Sequence, residues 1–134
     1  MIVVDVNVVA YYFIEGEKTA LARELMGRDP DWRLPSLWHH EYLNVLATYA
    51  RKGAATLEDA RILWRRAVAF LGPREHAPDA EAALALAIEN PISAHDAQYV
   101  ALALGLQTVF ISEDRRLLKA FPSIARGMQA FLAA

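Results

Sequence analysis

The chain has 134 residues, of which 55% are hydrophobic and 22% are charged. This composition excludes a disordered chain, and the length is that of one ordinary domain, so we predict a single domain over residues 1–134. The net charge of −2 argues against a protein that coats nucleic acid through bulk electrostatics, and the absence of cysteine excludes disulfides and thiolate metal sites.

The residues at the start of the chain do not have the pattern of a signal peptide, and we expect no export signal. Met1 leads directly into a short apolar run and then Asp5, with neither the basic segment nor the apolar segment of a signal peptide. No apolar run in the sequence is long enough to span a bilayer. We therefore expect a cytoplasmic protein.

Short apolar strands alternate with amphipathic helices along the chain. Strands are predicted at 1–4, 31–34, 74–77 and 108–111, the first and last being strongly apolar. Helices are predicted up to about 13 and over 18–26, 37–51, 56–71, 79–89, 93–104 and 115–121, with an ambiguous tail at 128–132. This alternation predicts an α/β fold in which a central parallel β-sheet is flanked by helices on both faces.

Several helix boundaries are predicted from cap residues. Thr56 with Asp59, and Ser93 with Asp96, have the spacing of a capping box, in which each side chain bonds the backbone N–H of the other residue. Gly27 is predicted to end the helix over 18–26, Ser36 to start the helix over 37–51 with Gly53 at its end, and Asp79 to cap the helix over 79–89.

Four acidic residues fall where these elements would meet. Asp5 follows the first strand, Asp114 follows the strand over 108–111, and Asp96 and Glu41 lie near the N-termini of their helices. In a parallel α/β sheet, the carboxyl ends of the strands and the helix N-termini share one edge, where ligands bind. We therefore predict that the four carboxylates converge there.

Converging carboxylates repel one another, and a divalent cation relieves that repulsion. Oxygen ligands suit Mg²⁺ or Mn²⁺. A bound metal ion offsets the negative charge of the acids, so that a phosphodiester can bind, and it also activates water. Taken singly, Asp96 and Asp114 have a simpler interpretation as helix caps, and Glu41 as an ordinary exposed residue. Asp5 is harder to explain in that way, since it ends a buried strand. Together, the four acids favour metal-dependent phosphodiester hydrolysis.

Four segments match the motifs of a known family. Ile2-Val3-Val4-Asp5-Val6-Asn7-Val8 resembles the opening motif of PIN-domain nucleases, and Ser93-Ala94-His95-Asp96 followed by Tyr99-Val100-Ala101-Leu102-Ala103 resembles the third motif. Val109 to Leu117, with Ser112-Glu113-Asp114, resembles the fourth motif, although Ser112 stands where threonine is more usual. Glu41, in Glu41-Tyr42-Leu43-Asn44-Val45-Leu46, falls where the family has its helical glutamate. The order and spacing fit along the whole chain.

The size is similar to that of the VapC-type toxins of prokaryotic toxin–antitoxin pairs. The resemblance implies a Mg²⁺- or Mn²⁺-dependent endoribonuclease that forms a homodimer and is inhibited by a small antitoxin. It implies that Asp5 and Asp96 bind the metal, that Asp114 and Glu41 complete the acidic site, and that Asn7 and Ser112 hydrogen-bond behind these ligands.

Basic and histidine residues near these acids have less specific interpretations. Arg115 and Arg116 follow Asp114 and could grip RNA phosphates, although an ordinary solvated helix face explains them about equally well. His39, His40 and His95 adjoin predicted acids, but adjacent helical residues point in different directions and no H-E-x-x-H pattern is present. We expect surface or interface roles for these histidines.

Two alternatives remain at this stage. One is a haloacid-dehalogenase-like phosphohydrolase with Asp5 as nucleophile, although Asn7 stands where that class has a second acid. The other is a catalytically silent PIN-like module that binds a protein, although all four acids are present. A phosphoenzyme trapped on Asp5 would support the first alternative.

Overall fold

The computed structural model describes all 134 residues. Its five strands are β1 (Ile2–Val4), β2 (Trp32–Pro35), β3 (Glu75–His76), β4 (Phe110–Ile111) and β5 (Ala125–Arg126). Its eight α-helices are α1 (Val6–Phe13), α2 (Thr19–Arg28), α3 (Trp38–Arg51), α4 (Leu57–Leu71), α5 (Ala80–Glu89), α6 (Ala94–Gly105), α7 (Arg115–Ala120) and α8 (Met128–Ala133). A turn of 3₁₀-helix at Gly72–Arg74 joins α4 to β3. None of the helices has the length and apolar character that crossing a membrane requires.

The five strands form one parallel sheet in the order β3-β2-β1-β4-β5, with β1 at its centre. Val4 of β1 pairs with Ile111 of β4, and the next N–H along the chain, that of Asp5, donates to the Ile111 carbonyl at 3.0 Å. This register brings Asp5 and Ser112, the residues that follow the two strands, to the same edge of the sheet. The predicted α/β fold with a central parallel sheet is confirmed.

Helices cover both faces of this sheet. Ile2, Val3 and Val4 are all buried, although successive residues of a strand point to opposite faces. Helix α6 packs against β1, β2 and β4, with α5 against α6, while α4 packs against β2. The buried side chains of the strands and of α1, α3 and α6 form one continuous core. The acidic edge therefore rests on well-packed elements.

Some local predictions were wrong. Gly27 does not end its helix, because α2 continues through it to Arg28. Ser36 does not cap α3; Leu37 holds the cap position and makes no side-chain cap bond. Strand β5 was not predicted, and the ambiguous tail forms helix α8.

Candidate active site

Asp5 lies at the junction of β1 and α1, at the centre of the sheet edge. Its side chain is only 7% exposed, and it occupies the cap position of α1 without making a side-chain cap bond. Instead, Oδ2 accepts a 2.8 Å hydrogen bond from the hydroxyl of Ser112, which is completely buried after β4. A buried carboxylate that does not cap its helix and forms no ion pair calls for another explanation than helix stability.

The contrast between Asp96 and Asp59 separates capping from other uses of an acid. Both stand at the third position of their helices, α6 and α4. Asp59 completes a reciprocal capping box, with bonds of 3.1 and 3.0 Å linking it to Thr56. Ser93 accepts the N–H of Asp96 at 3.1 Å, but the Asp96 carboxylate makes no return bond. Capping therefore does not account for the Asp96 carboxylate.

Glu41 reaches the edge from α3. Its Oε1 accepts a 2.6 Å hydrogen bond from the hydroxyl of Tyr99, one turn beyond Asp96 in α6. Tyr99 is buried and its ring stacks on that of Phe110 in β4. Tyr99 was not predicted as a functional residue. The available signals were its place in the quoted motif and its position three residues after Asp96 on the same helix.

Asp114 begins α7 and does serve as its cap. Its Oδ1 accepts the N–H of Arg116 at 2.9 Å, and its Oδ2 lies 3.2 Å from the guanidinium of the same residue. That guanidinium also lies 3.9 Å from Oδ2 of Asp96. The Arg116 side chain is 70% exposed, so a solvent-exposed cation lies between two of the predicted acids.

The acids influence one another electrostatically. Burial raises the pKa of Asp5, and the charge of Asp96 raises it further. The Ser112 hydrogen bond opposes the rise, as do the N–H groups of Asn7 and Val6, although neither forms a cap bond with the carboxylate. Burial likewise raises the pKa of Glu41, with the Tyr99 hydrogen bond opposing it and the charges of Asp5 and Asp96 adding to it. Three of the four predicted acids therefore share one region of negative potential.

Asp114 behaves differently from the two more buried acids. Partial burial raises its pKa, but the hydrogen bonds from the Arg116 side chain and backbone outweigh that effect and hold the pKa below its ordinary value. The pKa of Arg116 rises correspondingly, through its hydrogen bond to Asp114 and the charge of that carboxylate. Asp114 is therefore compensated by a side chain of the protein itself.

The donor set fits a hard divalent cation in its chemistry. Asp5 and Glu41 are buried or half-buried oxygen donors, and neither forms an ion pair with a cationic side chain. As they stand, no three of the histidine, aspartate and glutamate side chains form a preformed metal cluster. Asp5 and Glu41 therefore offer suitable ligands and uncompensated charge, and the acids would have to draw together around an ion.

The side chains of the other predicted residues make no hydrogen bond or ion pair with these acids, although the charge of His95 acts on Glu41. The side chain of Asn7 is exposed, and the structure gives it no hydrogen bond, so only the Asn7 backbone acts on Asp5. His40 and His95 are exposed, whereas His39 lies 2.5 Å from Glu75, on the β3 side of α3. Arg115 is exposed and forms no ion pair.

Together, the sheet and its edge define an α/β protein whose acidic residues gather at the carboxyl ends of β1 and β4. The model of the PIN domain family matches residues 2–122, and the chain belongs to that family. The fold is thus the predicted PIN-like one. The haloacid-dehalogenase-like alternative is left without support.

Individual proteins that resemble this chain agree with its place in the PIN domain family. The chain is 26% identical over 126 residues to "Ribonuclease VapC3" of Pyrobaculum aerophilum, covering 92% of this chain and 96% of that protein. The crystal structure of PAE2754 from Pyrobaculum aerophilum superposes with a TM-score of 0.78 at 19% identity, over 98% of this chain and 93% of that one. The crystal structure of FitAcB from Neisseria gonorrhoeae superposes with a TM-score of 0.72 at 15% identity, over 96% of this chain and 99% of that one. At these identities, the two solved structures establish a shared fold.

Proposed function

We propose that the protein is a Mg²⁺- or Mn²⁺-dependent endoribonuclease, the toxin component of a VapC-type toxin–antitoxin pair, acting as a single PIN domain over residues 1–134. The observation that carries the proposal is that Asp5, at the cap position of α1, and Asp96, the third residue of α6, form no cap bonds with their carboxylates. Their charges act on each other and on Glu41. The similarity to a protein named as a ribonuclease supports the substrate class.

Each acid has a distinct place in the proposed site. Asp5 and Asp96 would hold the metal, with Asp114 and Glu41 completing the set. When bound, a divalent cation makes its water a better nucleophile and offsets the charge that develops on the phosphate. Ser112 fixes the orientation of the Asp5 carboxylate through its 2.8 Å hydrogen bond. Burial raises the pKa of Glu41, which makes its carboxylate a stronger base than an exposed glutamate and suits it to orienting the attacking water.

The basic residues after Asp114 would hold the RNA backbone. Arg115 is exposed and free of ion pairs, so its guanidinium is available to a phosphate. Arg116 compensates Asp114 and Asp96 in the free protein, and a phosphate bound beside the acids would draw it away from them. This local supply of positive charge suits a chain whose net charge is −2.

Exposed apolar side chains support the proposed protein partners. Leu84 and Ile88 on α5 are 57% and 75% exposed, and Leu104 on the neighbouring α6 is 50% exposed. On α3 and the start of α4, Leu43 and Leu57 are 49% and 65% exposed. Apolar surface of this kind is typical of interfaces. We propose a homodimer and a cognate antitoxin as partners, in the cytoplasm, with RNA as substrate.

Cleavage of RNA by the purified protein tests the proposal. Mixed cellular RNA is incubated with Mg²⁺, with Mn²⁺ or with EDTA, using wild type, Asp5→Asn and Asp96→Asn. The matched control is Asp79→Asn, because Asp79 is an ordinary cap of α5, and asparagine caps a helix as well as aspartate does. We expect metal-dependent cleavage by wild type and Asp79→Asn, and none by the other two variants.

Two results would contradict the proposal. Cleavage that persists in EDTA or in the Asp5→Asn variant would show a contaminating nuclease or a different site. Intact RNA in every reaction, from folded protein that binds Mn²⁺, would favour the catalytically silent binding module.

A further inference from the structure

Tyr99 is a buried side chain with its polar end at the acidic edge. It is 1% exposed, and its ring stacks on Phe110 of β4 with centroids 5.7 Å apart and planes 26° apart. Packing on this strand fixes the ring, and with it the direction of the hydroxyl group. The one hydrogen bond of that hydroxyl goes to Oε1 of Glu41, at 2.6 Å. A residue with only a space-filling role in the core would not need this polar end.

Glu41 depends on this contact for its position. The Tyr99 hydroxyl is the only group that donates a hydrogen bond to the Glu41 carboxylate, and no cationic side chain pairs with it. A glutamate has three rotatable side-chain bonds, so an unsupported carboxylate would populate several rotamers. An O–H···O⁻ bond of this length is among the strong charge-assisted class. The contact therefore selects one orientation of a flexible acid.

The bond also links two elements that carry the site. Glu41 lies on α3 and Tyr99 on α6, 58 positions apart in sequence, and Tyr99 follows Asp96 by one helical turn. The charges of Asp5 and Asp96 both act on Glu41, which places its carboxylate within their reach. Oε2 of Glu41 makes no hydrogen bond. With Oε1 held by Tyr99, Oε2 is the carboxylate oxygen that remains without a hydrogen bond.

We propose that Tyr99 is a positioning residue of the active site: its hydroxyl holds the Glu41 carboxylate so that the free oxygen is directed at the site formed with Asp5 and Asp96. This inference rests on the proposed metal-dependent cleavage. It predicts that Tyr99 acts on metal binding and on turnover only through Glu41.

The chain offers a matched control for the test. Tyr99→Phe removes the hydroxyl and keeps the stacked ring. Tyr42→Phe is the control, because it removes the hydroxyl of another buried tyrosine, which lies on α3. That hydroxyl makes one hydrogen bond, a long 3.4 Å contact to the carbonyl of Leu63. Each change is made in wild type and in Glu41→Gln, and Mn²⁺ binding is measured by calorimetry alongside single-turnover RNA cleavage. Unfolding in denaturant with EDTA shows that each variant is folded.

We expect Tyr99→Phe to weaken Mn²⁺ binding and to slow turnover about tenfold or more, the effect of losing a hydrogen bond to a charged group, with a smaller change in KM for RNA. Tyr42→Phe should change neither, and Tyr99→Phe should have no further effect in the Glu41→Gln background, since interacting residues are non-additive. Equal behaviour of the two tyrosine variants, or additive losses in the Glu41→Gln background, would overturn the inference.

The outcomes separate this inference from the proposed function. Wild type that binds Mn²⁺ but cleaves no RNA contradicts the proposed function, and the Mn²⁺ affinities alone then decide the role of Tyr99. Wild type that cleaves RNA, with full Mn²⁺ affinity and turnover in Tyr99→Phe, overturns the positioning role and leaves the proposed function intact. Wild type that binds no Mn²⁺ overturns both.

Discussion

Replacing Ser112 with alanine removes a hydroxyl that connects two of the proposed acids. Ser112 is completely buried, donates to Asp5 Oδ2 at 2.8 Å and accepts the N–H of Asp114 at 3.1 Å. Asp5 is 7% exposed, so water replaces the lost donor poorly. The variant therefore leaves a buried carboxylate without its main hydrogen bond.

The expected loss follows from the charge of that carboxylate. A hydrogen bond to an ionised group contributes about 1.5–3 kcal/mol, which for a chain of this length lowers Tm by roughly 5–10 °C. The bond favours the ionised form of Asp5, so removing it raises a pKa that burial has already raised above the ordinary value. The loss of Tm should be largest at pH values where Asp5 is ionised in both wild type and Ser112→Ala. It should shrink as the pH falls through the folded-state pKa of Asp5, in a window above the ordinary range for aspartate.

Thermal unfolding in EDTA between about pH 4.5 and pH 8 measures both the size and the pH dependence of the effect. Ser123→Ala is the control, because Ser123 is exposed and makes no hydrogen bond. A loss of Tm that is the same at every pH, or no loss at pH 8, would refute the reasoning.

Three further outcomes are expected. Asp5→Asn should increase the free energy of unfolding in EDTA at pH 8, because a raised folded-state pKa means that the ionised carboxylate destabilises the fold above that pKa; denaturant unfolding that shows a lower value would contradict this. Thr56→Ala breaks the capping box of α4 and should cost about 1 kcal/mol of stability with the RNA cleavage rate unchanged, as chemical unfolding and a cleavage assay on the same preparation would show. Arg116→Ala should bind Mn²⁺ several-fold more tightly at low salt, because the guanidinium no longer competes with the metal for Asp96 and Asp114. In the same calorimetric measurement, the Mn²⁺ affinity of Arg115→Ala should equal that of wild type.

Much of the fold could be predicted because its signals are local. The Ile2-Val3-Val4 run is apolar on both faces, as a central parallel strand must be, and the capping box at Thr56 marks the start of α4 by itself. Strand β5 could not be predicted, because its two residues carry no periodicity. The strand exists through its pairing with β4, and just after β4 the backbone N–H of Ser112 donates to the carbonyl of Arg126.

The candidate site could also be predicted only in part. The convergence of the acids follows from topology, since strand ends and helix starts share an edge. Asp59 and Asp96, however, have the same position in their helices and the same sequence signal, and only the tertiary surroundings make one a cap and leave the other free. Likewise, the apolar pattern of α6 predicts that Tyr99 is buried, but its partner Glu41 belongs to a distant helix.

The pairing of β1 with β4 has a consequence for how the protein is made. The bond from Ser112 to Asp5 joins residues 107 positions apart, so the acidic edge contains both an early and a late part of the chain. Pairing over such a separation requires closing a long loop, and a growing chain cannot begin it before Ser112 has left the ribosome. A nascent chain therefore carries Asp5 and Glu41 without Ser112 and Tyr99, their hydrogen-bond partners, until those residues have emerged. The acidic edge can therefore not form on a shorter nascent chain, and the proposed site would be complete only after the residues that follow β4 have emerged.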